Sequence, residues 1–468
     1  MSDQAAKLLV ASNRGPVSYR LTDTHPRTLE AKRGGGGLVS GLSAIGSDAA
    51  ALWVCAALGD GDREAVARGV GEPGVRMIAI DPEVQADAYN GIANSVLWFV
   101  HHMLYQTPLE PSFGPEFRRQ WAHYEAYNQA FAETLAAEAA PGAAVIVQDY
   151  HLSLVPGLLR ELRGDLRIGH FSHTPWAPTD YFRLLPDDVA RQLLRGMLGA
   201  DRLGFLTRRW ADAFTACCTD LLGPDALDGT ETGVHGLGAD AGFLRERAHR
   251  PDVDERIAAL REQIGGPDRR TVVRVDRTEL SKNIVRGLQA YRLLLETRPE
   301  WRERVVHLAF AYPSRQDLAV YRDYMTEVSR VADEINSTYG TPGWTPVVLH
   351  LEDDFARSLA SYRIADVALV NPVRDGMNLV AKEVPVLSDD GCALVLSREA
   401  GAAAELSDDA LMVNPYDISA TAEALHQALS MPAAERTART ERLAAAATSL
   451  PPQRWFLDQL NALRGPAT

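Results

Sequence analysis

The sequence predicts an α/β chain of two doubly wound domains facing a cleft. Short β-branched runs alternate with longer helical stretches, the pattern of parallel sheets covered on both faces. The alternation occurs as two series separated by a break. The length, 468 residues, also exceeds one ordinary core at roughly 100 to 200 residues per domain. In such sheets ligands sit beyond the carboxyl ends of the strands, so the residues that follow each strand are the place to look for a site.

The first series reads KLLVAS (7–12), ALWVCAAL (51–58), AAVIVQDY (143–150), RIGHFSH (167–173) and RLGFLT (202–207). A long helix over 117–139 stands among these strands. Residues 219–255 read as loop-rich, with the join near 236–255. The second series is TVVRVDR (271–277), VVHLAFA (305–311), PVVLHLE (346–352), VALVNP (367–372) and CALVLS (392–397). In the tail, Phe456, Leu460 and Leu463 fall at helical spacing, which predicts a last helix packing back on the body. The expected boundaries are 1–240, 241–450 and 451–468.

A composition 46% hydrophobic and 24% charged is that of a globular chain. The net charge of −14 disfavours a general nucleic-acid or anionic-membrane binder. Cys55, Cys217, Cys218 and Cys392 lack metal-ligand or disulfide-framework spacing, which fits a reducing cytoplasm. The start MSDQAAKLLVASN has no secretory pattern, and no apolar run approaches a membrane span.

The run KRGGGGLVSG (32–41) is too far from the first strand, and lacks the Lys-Ser/Thr pair, to be a P-loop; it is also a poor dinucleotide fingerprint. It remains either a surface turn or a backbone that approaches an anion at a helix start. Beyond the 271–277 strand, Arg277 and Lys282 could converge on a pyrophosphate or form a solvated pair. Beyond 367–372, Asp375 and Gly376 precede a helical turn at Met377, Asn378 and Leu379, where Asp375 could be only an N-cap.

Taken together, VASNRGPVS, RGGGGLVSG, YNGIANSVLW, VQDYHLSLVPGLLR, SHTPW, VDRTELSKN, YGTPGWTPV and RDGMNLVAKE resemble the trehalose-6-phosphate synthases, in order and spacing. These are retaining glycosyltransferases with two Rossmann-like domains of the GT-B type, and the resemblance runs from about residue 8 to the last helix. It implies transfer of glucose from a nucleotide sugar to glucose 6-phosphate with retention, and neither metal nor cofactor. It also implies roles. Arg277 and Lys282 would hold the donor diphosphate, with the amides of Gly35, Gly36 and Gly37 closing over it. Asp375 and the amides of Gly376, Met377, Asn378 and Leu379 would bind the donor glucose, Glu383 the ribose hydroxyls, and His173 would face the donor sugar, unless it is a core histidine. Arg14, Tyr89, Trp98, Asp149 and Arg315 would bind the acceptor, although Tyr89 and Trp98 also suit a core or an interface. A homo-oligomer is compatible with the resemblance.

No matched carboxylate is left over as a nucleophile, so the expected mechanism is a same-face substitution in which the departing phosphate takes the acceptor's proton. Asp60 and Asp62 form a DxD, but in a polar turn. Gln148 stands where the family has His, Glu279 for Asp, Asn283 for Gly and His235 for Pro. The acidic loop Glu352, Asp353, Asp354 suggests GDP-glucose over UDP-glucose, since carboxylates accept from the guanine edge; the competing reading is that Asp353 or Asp354 caps the next helix. Another phosphorylated polyol or a cyclitol as acceptor, or a non-catalytic sugar-phosphate sensor, are the alternative functions.

Overall fold

The computed structural model describes residues 5–22, 27–33 and 51–464. The chain divides into two compact units, Met1–Leu237 with Pro452–Thr468, and Gly238–Pro451.

The first unit contains β1 (Ala6–Ser12), β2 (Val17–Leu21), β3 (Leu29–Arg33), β4 (Ala51–Ala56), β5 (Val75–Ile78), β6 (Ala139–Gln148), β7 (Arg167–Ser172), β8 (Arg202–Phe205) and β9 (Glu231–Val234). Seven of these form a parallel sheet in the order β5-β4-β1-β6-β7-β8-β9, while β2 and β3 pair as an antiparallel ribbon. Leu8, Leu9, Val10 and Ala11 are buried in succession, as expected of a central strand covered on both faces. The helix Pro115–Glu138 starts with Pro at its first position, where no backbone donor is lost. It buries Phe117, Trp121, Tyr124, Asn128, Phe131 and Leu135 at three- and four-residue spacing. The helix Pro452–Arg464 lays Trp455, Phe456, Leu460 and Leu463 against the same unit, with Trp455 edge-on to Phe171 of β7 at 4.9 Å. The Arg167 guanidinium donates to the carbonyl of Arg464.

The second unit contains β10 (Arg270–Arg277), β11 (Val305–Tyr312), β12 (Val347–His350), β13 (Val367–Val370), β14 (Ala393–Ser397) and β15 (Leu411–Val413). They form one parallel sheet in the order β12-β11-β10-β13-β14-β15. The order reverses between β10 and β13, which is the topological switch point where doubly wound sheets bind ligands. In the first unit the corresponding reversal lies between β1 and β6.

One expectation is corrected. Residues 219–255 are not loop-rich: they include the end of the helix Arg208–Leu222, β9, the helix Ala241–Ala248 and the start of the helix Pro251–Ile264. The last of these buries Val253, Ile257, Leu260 and Ile264, a helical stripe that charged neighbours obscure. Among the described residues, no helix is long and apolar enough to cross a membrane. All four cysteines are buried and free.

Candidate active site

In the second unit the site forms where β10 and β13 end side by side. Arg277 is the last residue of β10. The chain then turns through Leu280–Lys282 into Asn283, which takes a left-handed conformation at φ +59°. The Asn283 amide donates to the carbonyls of Asn371 (2.9 Å) and Pro415 (2.8 Å), which stabilises this unfavourable backbone. The Val373 N–H donates to the Ser281 carbonyl at 2.8 Å, tying the two post-strand loops together. Glycine, the family's usual residue here, would adopt the turn with less strain but could not make the two side-chain bonds.

The loop after β13 presents Asp375. Lys282 Nζ lies 2.5 Å from Asp375 Oδ2, and the Asn378 amide donates to the same oxygen at 3.2 Å. The loop is braced from behind by Gly401 N–H on the Asp375 carbonyl (3.0 Å) and Ala402 N–H on that of Met377 (2.7 Å). A Cβ on Gly401 would stand 1.9 Å from the Gly376 carbonyl oxygen, so only glycine permits this approach. Burial disfavours the Lys282 ammonium, yet the carboxylates of Asp375, Glu279 and Asp276 outweigh it and hold its pKa above the ordinary lysine value.

Glu279 organises the remaining cations. Its carboxylate, fully buried, lies 3.2 Å from Arg277 and 3.8 Å from Arg315, and it accepts from the Ser314 hydroxyl at 3.0 Å. Burial raises its pKa, but Arg277, Arg315 and Lys282 together bring it below the usual carboxylate range. Arg277 remains 57% exposed, free to reach outward. Arg315, at φ +49°, is mostly buried and donates to the Tyr321 hydroxyl at 2.9 Å, so the residue expected on the acceptor lies beside the expected diphosphate ligands. Glu279 is the residue that sequence reasoning missed; its signal was an acid between two cations directly after a strand.

Glu383 lies on the helix Val380–Leu387. Burial pushes its carboxyl up to about 7, against the opposing effect of the hydrogen-bonded Tyr362 hydroxyl. In the loop after β12, Glu352 and Asp353 are exposed. Asp354 is committed elsewhere: it caps the helix Phe355–Arg363 by accepting the Arg357 N–H at 2.9 Å, and it pairs with Arg256 at 2.7 Å. The expectation that Asp354 reads a base is therefore corrected to a capping role.

In the first unit, Asp149 follows β6 at φ +71° and accepts the His173 backbone N–H at 3.1 Å. The His173 ring donates from Nε2 to Gln148 Oε1 at 2.8 Å, so the glutamine departure has a definite use. Burial and the adjacent His170 lower the His173 pKa to about 4, which makes the ring neutral near pH 7. Tyr89 sits in an unusual π-helical segment, Asp87–Leu97, half-buried and stacked on His151 at 5.6 Å. Trp98 is buried, with its ring 3.7 Å from that of His102 and 5.8 Å from that of Tyr150. Arg14 is exposed just beyond β1. Gly35, Gly36 and Gly37 lie outside the described residues.

The DxD is structural. Asp62 is buried and accepts N–H bonds from Tyr19 (2.6 Å), Gly59 (3.0 Å) and Leu58 (3.1 Å), while Asp60 pairs with Arg63. A second group, Glu83, Asp87 and His123, already holds a cation, the Arg119 guanidinium.

Residues 6–464 match the sequence profile of glycosyltransferase family 20. The chain is 33% identical over 460 residues to the alpha,alpha-trehalose-phosphate synthase [UDP-forming] of Schizosaccharomyces pombe, covering 94% of this chain and 87% of that protein. It is 32% identical over 472 residues to the [UDP-forming] A protein of Dictyostelium discoideum, covering 98% of this chain but 63% of that longer one. Among solved structures, the trehalose-6-phosphate protein from E. coli bound with UDP-2-fluoro glucose superposes with a TM-score of 0.85 at 27% identity, covering 98% and 99% of the two chains. The Burkholderia multivorans alpha,alpha-trehalose 6-phosphate synthase does so with a TM-score of 0.83 at 31% identity, covering 98% of each.

Proposed function

The chain belongs to glycosyltransferase family 20, and on that premise we propose that it is an α,α-trehalose-phosphate synthase. It transfers glucose from a nucleoside-diphosphate glucose to glucose 6-phosphate, with the anomeric configuration retained. The observation that carries this reading is the meeting of Arg277, Lys282 and Asp375 at the switch point between β10 and β13.

Arg277 and Lys282 bind the donor diphosphate and neutralise the charge that grows as the C1–O bond to phosphate breaks, the preorganised electrostatic stabilisation that dominates such sites. Without substrate, Asp375 supplies the counter-charge for Lys282. With substrate, Asp375 accepts donor-glucose hydroxyls, and the amides of Gly376, Met377, Asn378 and Leu379 line the same sugar. The acceptor hydroxyl forms the new bond to C1 on the face the phosphate leaves, and its proton passes to the departing phosphate oxygen. His173, neutral and bonded to Gln148, orients against the donor sugar as a hydrogen-bonding group and carries no proton in the transfer. Arg14, Tyr89, Trp98, Asp149 and Arg315 serve the acceptor. Arg315→Ala raises KM for glucose 6-phosphate; a change confined to the donor KM would reassign it to the diphosphate.

For the donor base, the relatives' designation as UDP-forming supports uridine. Guanine is the second reading, and it now rests on exposed Glu352 and Asp353 alone. The deciding experiment incubates the protein with glucose 6-phosphate and UDP-glucose or GDP-glucose in parallel, detecting trehalose 6-phosphate. The ratio of kcat/KM assigns the base, and absence of product with either donor would overturn the function.

A further inference from the structure

The amino ends of the strands in the second unit frame a cavity of about 1070 Å³, walled by residues that introduce β10, β11, β13 and β14. This is the end of the sheet remote from the site above. The eight residues of β10 separate the two by roughly 26 Å at about 3.3 Å per residue. The volume accommodates a metabolite-sized molecule, since small-molecule pockets run to about 1,000 Å³.

Six arginines and four aspartates line the cavity, a local excess of positive charge in a chain of net charge −14. Two of the acids are already engaged. Asp366 accepts from Arg270 at 2.6 Å and from the Thr271 N–H at 2.9 Å, and Asp389 accepts from Arg363 at 3.1 Å. Three arginines are not fully used. Among the described residues, Arg261 and Arg304 are exposed without an ion pair, Arg304 lying over the Trp301 ring at 5.8 Å. Arg436 is only 5% exposed, its Nε has no hydrogen-bond partner among the described residues, and its guanidinium stands 3.6 Å from Asp366, beyond hydrogen-bond reach. A buried guanidinium with an unsatisfied donor is costly unless an acceptor completes it. Planar guanidinium forks match phosphate oxygens in pairs.

We propose that this cavity binds a phosphorylated small molecule carrying at least two negative charges, independently of the nucleotide-sugar site. The exposed Asp268 and Asp390 at the wall weaken the general field, so recognition rests on directed guanidinium bonds and not on diffuse attraction.

Inorganic pyrophosphate is the probe, titrated calorimetrically into the full chain, into Arg277→Ala/Lys282→Ala and into Arg261→Ala/Arg304→Ala. The wild type binds at two sites; Arg277→Ala/Lys282→Ala retains the cavity site, and Arg261→Ala/Arg304→Ala retains the other site with the cavity site weakened. Arg261→Ala/Arg304→Ala changes exposed side chains only, so its fold and transferase activity persist while the second site weakens about tenfold or more, as expected on removal of charge-assisted bonds. Arg436→Gln weakens the same site. Should Arg261→Ala/Arg304→Ala bind pyrophosphate as the wild type does, or should Arg277→Ala/Lys282→Ala bind none, the cavity is not a phosphate site.

Discussion

The Lys282 ammonium and the Asp375 carboxylate stand 2.5 Å apart, each largely buried and each supplied by a different post-strand loop. The pair joins the switch-point strands β10 and β13 through their side chains. In the proposed reaction, a donor diphosphate arriving at Lys282 would replace a carboxylate as its partner and release Asp375 toward the sugar.

Lys282→Ala removes the cation that the proposed mechanism sets against the leaving phosphate. Turnover falls by roughly 10²-fold or more, by analogy with the loss of one preorganised oxyanion donor, while circular dichroism and the melting transition show a folded protein. A near-normal kcat would contradict the leaving-group role.

Glu279→Gln keeps the shape of the side chain but withdraws the charge that faces Arg277 and Arg315. The donor KM rises and kcat/KM falls by about tenfold, corresponding to a loss of about 1.4 kcal/mol of transition-state stabilisation. Glu279→Asp, the family's usual residue, restores most of the loss. Equal activity of Glu279→Gln and wild type would show that the arginines need no such anchor.

Glu383 titrates near neutrality, at about 7. Its folded pKa lies above its unfolded value, so the native state binds more protons between the two, and its contribution to stability declines as pH rises from the unfolded pKa toward 7. Relative to wild type, Glu383→Gln therefore gains stability at pH 8 compared with pH 5 in urea melts. The ionised carboxylate is the better acceptor for two ribose hydroxyls, so wild-type affinity for the nucleotide sugar increases through pH 7 and the variant's does not. A parallel pH dependence in the two proteins would remove Glu383 from ribose binding.

Asp62→Ala leaves three backbone N–H groups without their acceptor. Urea denaturation should show a loss of about 1–3 kcal/mol, the cost of buried unsatisfied donors. Residual specific activity of the folded fraction is the same with and without chelator. Restoration of the variant's activity by added divalent metal would instead identify Asp62 as a metal ligand.

The strands most legible in the sequence were those with unbroken apolar runs, such as β6 with Val145, Ile146 and Val147, and β11 throughout. By contrast, β9 reads ETGV and buries none of its four residues, so no apolar run marks it, and β15 has only three residues. The site divides along the same line. Arg277, Lys282 and Asp375 were readable because Arg277 ends one strand and the other two lie in the short loops that follow strands, whereas the joining of Glu279 to Arg315 depends on β10 lying beside β11, a pairing over 35 residues. Asp354 was ambiguous for a physical reason: an acid before a helix suits both a cap and a ligand, and only the position of Arg256, about one hundred residues away, separates them.

The helix Pro452–Arg464 completes a body whose other residues end at Leu237. A ribosome adding roughly 5–20 residues per second emits domains in order, but here the unit begun first cannot close first. Until that helix emerges, the surface of β6 and β7 that receives Trp455, Phe456, Leu460 and Leu463 stays open to water. The intervening unit, Gly238–Pro451, meanwhile has every strand it needs. The nascent chain therefore passes through a stage in which its later half is finished and its earlier half still presents an apolar groove.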